Sequence, residues 1–185
     1  GLVLVQFEAN ACDRLAIETE GYGKATRFRV WHQAIESIDD LLPVLEDAQA
    51  LNVFLIRGQL PAIYAERGLF CERKKRGNGG SIDDVCNRLV CIDIDSEPLP
   101  DDIDDPFDLL VVGDSIRAKL PAPLSAASCI VQASGSYGMW EYGRPRVIKL
   151  HLFFILSEGL DEATWRAWIK QQNKTGRYPA MDASV

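Results

Sequence analysis

Histidine and usable cysteine are both scarce in this 185-residue chain, which has two histidines and five cysteines. Cys12, Cys71, Cys86, Cys91 and Cys129 are odd in number, scattered and never spaced C-x-x-C. A disulfide framework and a structural zinc knuckle both lose most of their support, and although Cys86 and Cys91 could bind something, the cysteines read better as buried, inert thiols of a reducing compartment. Long apolar runs are missing too. No stretch approaches the roughly 18 to 20 residues that cross a bilayer, and the opening GLVLVQFEAN lacks the basic region and small-residue cleavage site of a secretory leader. The expectation is a soluble, cytoplasmic protein with no membrane partner. Hydrophobic residues make up 47% and charged residues 25% of the chain, which is ordinary globular usage and argues against intrinsic disorder. The length suits one sizeable core or two small ones.

The chain also has few bases for a nucleic-acid partner: 20 Lys and Arg stand against 27 Asp and Glu, for a net charge of −7. The charges are nevertheless segregated. Residues 81–114 hold eleven acids and one base, Arg88, so this segment carries −10 and the remainder carries +3. Clustered carboxylates flanked by basic segments suit a site that holds divalent metal and receives a polyanion. Asp101 to Asp108 read more simply as a solvated acidic loop.

Local patterns mix strands and helices. Alternation in LVLVQFEA and in TRFRVWH (26–32) predicts two half-buried strands, and NVFLIRG (52–58) a buried one. From a capping Ser37, the spacing of Ile38, Leu41, Leu42 and Leu45 predicts a helix that Pro43 kinks or restarts. Arg73, Lys74, Lys75 and Arg76, followed by GNGGS, form an exposed loop that is either merely solvated or a phosphate-tracking arm. RLVCIDID (88–95) is a strand, FDLLVVGDSIRAKL (107–120) a helix burying Leu109, Val112, Ile116 and Leu120, and SCIVQAS (128–134) and VIKLHLFFIL (147–156) further strands. A helix capped by Asp161 carries an apolar stripe through Trp165, Trp168 and Ile169. No internal repeat is present, and the order is that of an α+β protein with mixed or antiparallel sheets and flanking helices.

Three pieces carry chemistry. In a strand, residues two apart share a face, so Asp93 and Asp95 project together while Ile92 and Ile94 face the other way. Two such carboxylates repel unless a cation lies between them, and hard oxygen donors suit Mg²⁺ or Mn²⁺. A bare D-x-D is shared by glycosyltransferases, nucleases and many strand ends. The second piece is ASGSYG followed by KLHLFF, where Lys149, His151 and Phe153 share one strand face. A histidine between leucines is usually structural, but here it accompanies a lysine and follows a small-residue turn whose hydroxyls, Ser134 and Ser136, can hold phosphate. The third piece is Met181-Asp182, an aspartate after an apolar residue.

LVCIDID, SGSYG with KLHLFF, and MDASV, in this order, resemble the three motifs of the archaeo-eukaryotic primase superfamily: a hydrophobic strand ending D-x-D, a small-x-H motif and a hydrophobic-D motif. The flavour is that of primase-polymerase domains in replication proteins of phages, plasmids and integrated elements. The segment 137–148 between the serines and His151 is longer than in cellular primases, which leaves open which serine meets phosphate.

The resemblance implies one catalytic domain over 1–185, with an N-terminal half of about 1–85 and an RRM-like catalytic half of about 86–185, continuing into further chain such as a helicase. It implies template-directed nucleotidyl transfer from ribo- or deoxyribonucleoside triphosphates on a single-stranded DNA template. Asp93, Asp95 and Asp182 would hold two Mg²⁺ or Mn²⁺ ions. Ser134, Ser136, Lys149 and His151 would bind the nucleotide, and Arg73 to Arg76, Arg144 and Arg146 the nucleic acid. A metal-dependent nuclease and a non-catalytic DNA-binding replication-initiator module are the rival readings.

Overall fold

A computed structural model of the chain describes residues 27–29, 35–50, 70–72, 85–140 and 142–184. They fall into two compact units. One contains β1 (Arg27–Arg29) and β2 (Phe70–Glu72), a two-stranded antiparallel pair in which Phe28 lies opposite Cys71. All other described elements belong to the second unit: α1 (Ile38–Ala50), β3 (Asn87–Pro98), α2 (Leu109–Ala118), a short 3₁₀ helix (Leu124–Ala126), β4 (Ile130–Ala133), β5 (Val147–Leu160), α3 (Glu162–Lys174) and β6 (Asp182–Ser184). The protein is thus α+β, and no helix among the described residues is long and apolar enough to cross a membrane. The strands expected in LVLVQFEA and NVFLIRG lie outside the described residues.

Helix starts are set by side-chain caps. Ser37 and Asp40 form a reciprocal box, with Asp40 N donating to Ser37 Oγ (3.3 Å) and Ser37 N to Asp40 Oδ2 (2.9 Å). These hydrogen bonds favour the charged carboxylate and hold the Asp40 pKa below its ordinary value. Asp108 accepts from Leu110 N and Val111 N to start α2, and Asp161 from Thr164 N to start α3. Pro43 is exposed and α1 runs through it unbroken.

The strands β4, β5, β3 and β6 form one antiparallel sheet in that spatial order. With α2 between β3 and β4, and α3 between β5 and β6, the chain traces a β-α-β-β-α-β path whose first and third strands are central. Helices α2 and α3 cover one face. Their Leu109, Val112, Ile116, Trp165 and Ile169 pack on Ile92, Ile94, Leu150 and Leu152, all four of which have no solvent exposure. Each such side chain contributes roughly 1.5 to 3 kcal/mol on burial. A one-residue slip of either strand would turn its whole apolar set outward, so these side chains fix the register.

The opposite face is covered only in part. Leu41 and Leu45 of α1 bury Cys91, Phe153 and Ile130, a row that runs straight across β3, β5 and β4. The next row along the strands is the polar one.

Candidate nucleotide and metal site

Register alone assembles that row. Asp93 on β3 lies opposite His151 on β5 and, on its other side, opposite Asp182 on β6; Gln132 on β4 lies opposite His151. The order across the sheet is therefore Asp182, Asp93, His151, Gln132. Three segments remote in sequence are brought side by side, because directly opposed residues in an antiparallel pair place their Cβ atoms about 4.5 to 5.5 Å apart.

The imidazole Nε2 of His151 is 3.5 Å from Asp93 Oδ1, and the two side chains are 31% and 18% exposed. That separation is longer than a well-formed hydrogen bond, so the contact is electrostatic and leaves the ring able to turn toward a ligand. The ring also stands edge-on to Phe153, with centroids 6.4 Å apart, which ties it to the row covered by α1. His151 is thus half-open at the boundary between the apolar row and the polar one.

One step further along lies Asp95, Lys149 and Ser134. Ile94 pairs with Leu150 but Glu97 pairs with Ile148, so Asp95 and Ser96 together oppose Lys149 in a bulge. Bulges bend a strand and re-aim its side chains, and this one sits where β3 delivers its second aspartate. Ser134 N donates to Lys149 O at 3.0 Å. Lys149 Nζ donates to Ser136 Oγ at 3.2 Å, and the two serine hydroxyls are 3.3 Å apart. One ammonium and two hydroxyls thus form a single cluster of donors, the arrangement an anion requires.

The turn that carries the serines is closed by Tyr137 N donating to Ser134 O and Met139 N to Ser136 O. Gly138 ends it at φ +82°, where a Cβ would stand 2.9 Å from the Phe107 ring, so only glycine fits. Phe107, Tyr137 and Trp140 pack against one another, Tyr137 Oη donates to Pro106 O, and Trp140 Nε1 donates to Val147 O. Burial, and secondarily Asp105, pushes the Tyr137 hydroxyl up to about 12. Segment 137–148 is therefore anchored by an aromatic cluster that it shares with Phe107, ahead of α2.

Of the candidate residues, Asp93, Asp95, Asp182, Ser134, Ser136, Lys149 and His151 all fall on or beside this polar surface. Arg144 and Arg146 are exposed on the β4–β5 connection, and the Arg146 guanidinium lies 5.8 Å from the centre of the Trp140 ring. Arg73, Lys74, Lys75 and Arg76 lie outside the described residues. Cys91 and Cys129 are buried, as expected, but Cys86 is exposed because it precedes β3. Burial raises the Cys91 thiol far above its usual range, and Asp93 adds to the shift; burial likewise pushes Cys129 up to about 11.

Two contributors were not found from sequence. Gln132 joins the row through register, which no local pattern reveals. Asn173 on α3 brackets Met181, donating from Nδ2 to Met181 O (2.7 Å) and accepting at Oδ1 from Met181 N (3.1 Å). It takes the place of a strand partner for the residue just before β6, and so helps to set where Asp182 enters the sheet.

The fit to a divalent cation can be judged from the donors. Asp93, Asp95 and Asp182 supply hard carboxylate oxygens from neighbouring backbone positions, as Mg²⁺ or Mn²⁺ prefers. Among the described residues no three His, Cys, Asp or Glu side chains are already gathered as a ligand set. Like charges on adjacent strands repel one another when nothing positive lies between them. No family model, curated protein or solved structure matches this chain.

Proposed function

We propose that the polar face of the β4-β5-β3-β6 sheet is the nucleotidyl-transfer site of a template-directed primase-polymerase, and that residues 86–185 form its RRM-like catalytic half. The observation that carries the reading is the row Asp182, Asp93, His151, drawn from three separate motifs and aligned by strand register alone. The same three motifs, in the same order, carry the sequence resemblance to the archaeo-eukaryotic primase superfamily.

Asp93, Asp95 and Asp182 would hold divalent ions, which when bound neutralise triphosphate charge and acidify the attacking hydroxyl. The chain's own residues divide the remaining work. Lys149, with Ser134 and Ser136, receives the phosphates at the end of the polar strip away from α1, where its ammonium offsets charge that builds on the departing group. His151, held by no hydrogen bond to Asp93, turns to donate a hydrogen bond to a phosphate oxygen. The 3′-hydroxyl oxygen then bonds to the α-phosphorus, the bond from that phosphorus to the bridging oxygen breaks, pyrophosphate leaves, and the hydroxyl proton passes to solvent. Cys91, Phe153 and α1 close the other end of the strip against water.

The test is extension of a labelled primer on single-stranded template with each triphosphate and Mg²⁺ or Mn²⁺, wild type beside Asp93→Ala. Extension by wild type and its loss by several orders of magnitude in the variant supports the reading. Degradation of the primer without any triphosphate requirement points to a nuclease instead. DNA binding that survives Asp93→Ala, with no extension by either protein, points to a binding module.

A further inference from the structure

Helix α3 carries a second feature that none of the three motifs uses. Arg166, Lys170 and Lys174 recur every fourth residue, so they align along the helix over about 12 Å. Trp165 and Ile169, on the side turned to the core, are buried. The three bases line a groove of about 410 Å³ together with Met181 and Asp182 of the segment entering β6. Glu162, the acid in α3, is held by Arg166. Lys170 and Lys174 have no ion-pair partner among the described residues.

From this juxtaposition we infer that the α3–β6 groove binds the sugar–phosphate backbone of a single nucleic-acid strand and leads its end to Asp182. The inference rests on the primase-polymerase reading and adds a strand path to it. Arg166 is paired with Glu162, but Lys170 and Lys174, one turn or about 6 Å apart along the helix, offer two cationic sites where one phosphate needs one, which favours a strand over a free anion. The lining carries both signs: phosphates lie against Lys170 and Lys174, whereas Asp182, in the same lining, bears a carboxylate that repels a phosphate but tolerates the uncharged 3′-hydroxyl at a strand's end. Asp182 lines the groove and also belongs to the carboxylate row, so it joins the two surfaces at the β6 edge.

The test is fluorescence anisotropy of a fluorescein-labelled oligo-dT, titrated across a series of KCl concentrations. It compares wild type, Lys170→Gln/Lys174→Gln and the control Lys119→Gln, whose lysine pairs with Glu97 elsewhere on the surface. For single strands each neutralised phosphate contributes about 0.7 to the slope of log affinity against log salt. The double variant should therefore lose about 1.4 from the slope and bind roughly tenfold more weakly at low salt, with its thermal midpoint unchanged, while Lys119→Gln behaves as wild type. An unchanged slope, an equal loss in Lys119→Gln, or no binding of the oligonucleotide by wild type overturns the groove assignment. Primer extension run on the same samples separates the two ideas. Extension with an unaltered slope removes the groove alone, and a reduced slope without extension keeps the groove as a strand-binding surface and removes the polymerase.

Discussion

Replacing Asp182 by Asn should stabilise the protein while disabling it. Asp182 and Asp93 are directly opposed on adjacent strands, and like charges so placed are destabilising on the scale of cross-strand pairs, about 0.2 to 1 kcal/mol. Asp182 is exposed, so water and salt hold the effect to about 1 kcal/mol at most. The Asp93–His151 contact is untouched by the substitution. Removing one negative charge should then raise the thermal midpoint by at most about 2 to 4 °C in EDTA, as expected for a chain of this size. With Mn²⁺ the order reverses. A cation held only by the native state at a hundredfold excess over its dissociation constant adds about 2.7 kcal/mol to wild type, and Asp182→Asn should gain little of this. The assay is thermal unfolding followed by circular dichroism, in EDTA and in Mn²⁺, for both proteins. A variant less stable than wild type in EDTA, together with an undiminished Mn²⁺ shift, would refute both the like-charge contact and the role of Asp182 as a ligand.

Three further outcomes follow from particular contacts. His151→Ala should weaken nucleoside triphosphate binding about tenfold or more, the loss of a hydrogen bond to a charged group, while the Mn²⁺-induced thermal shift persists; equal triphosphate affinity in a fluorescence titration counts against the phosphate role. Gly113→Ala should destabilise despite better helix propensity, because its Cβ would lie 2.7 Å from Val131 Cγ2 in the core. Overpacking costs about 1 to 3 kcal/mol against a gain of about 1 kcal/mol from propensity, and urea unfolding should show recovery when Val131→Ala is added. Stability should fall as pH rises from 9.0 toward about 11, because the Cys129 thiol loses its proton more readily in the unfolded chain than in the fold. Cys129→Ala should make the fall shallower by one thiol's share, with the raised Cys91 and Tyr137 groups keeping the rest, and an identical pH profile would contradict the burial of Cys129.

The faces of β3 and β5 could be read from sequence because burial on one side imposes a period of two. Ile92, Ile94, Leu150 and Leu152 alternate with Asp93, Lys149 and His151 whatever the partners are. Which strands are neighbours could not be read the same way. That Asp93 lies between His151 and Asp182 depends on β3 and β5 taking the centre of the sheet, a choice made by packing between segments tens of residues apart. The extent of β5, which runs to Leu160 rather than Leu156, follows from pairing with Asn87 at its far end, again a non-local fact. α3 shows the opposite case. Its apolar stripe gave the helix, but its basic stripe has the same spacing and becomes a groove only when β6 docks beside it. Cys86 departs from its expected burial because it lies before the strand rather than within it, where alternation has no hold.

The most direct measurement is an anomalous-difference map from crystals grown with Mn²⁺ and a non-hydrolysable nucleoside triphosphate. The expected map has Mn²⁺ density within ligand distance of Asp93 and Asp182, and the triphosphate in contact with His151, Lys149 and the 134–136 turn. Manganese elsewhere on the protein, or a triphosphate bound away from His151 with Asp93 and Asp182 left unliganded, would contradict the assignment of this sheet face as a nucleotidyl-transfer site.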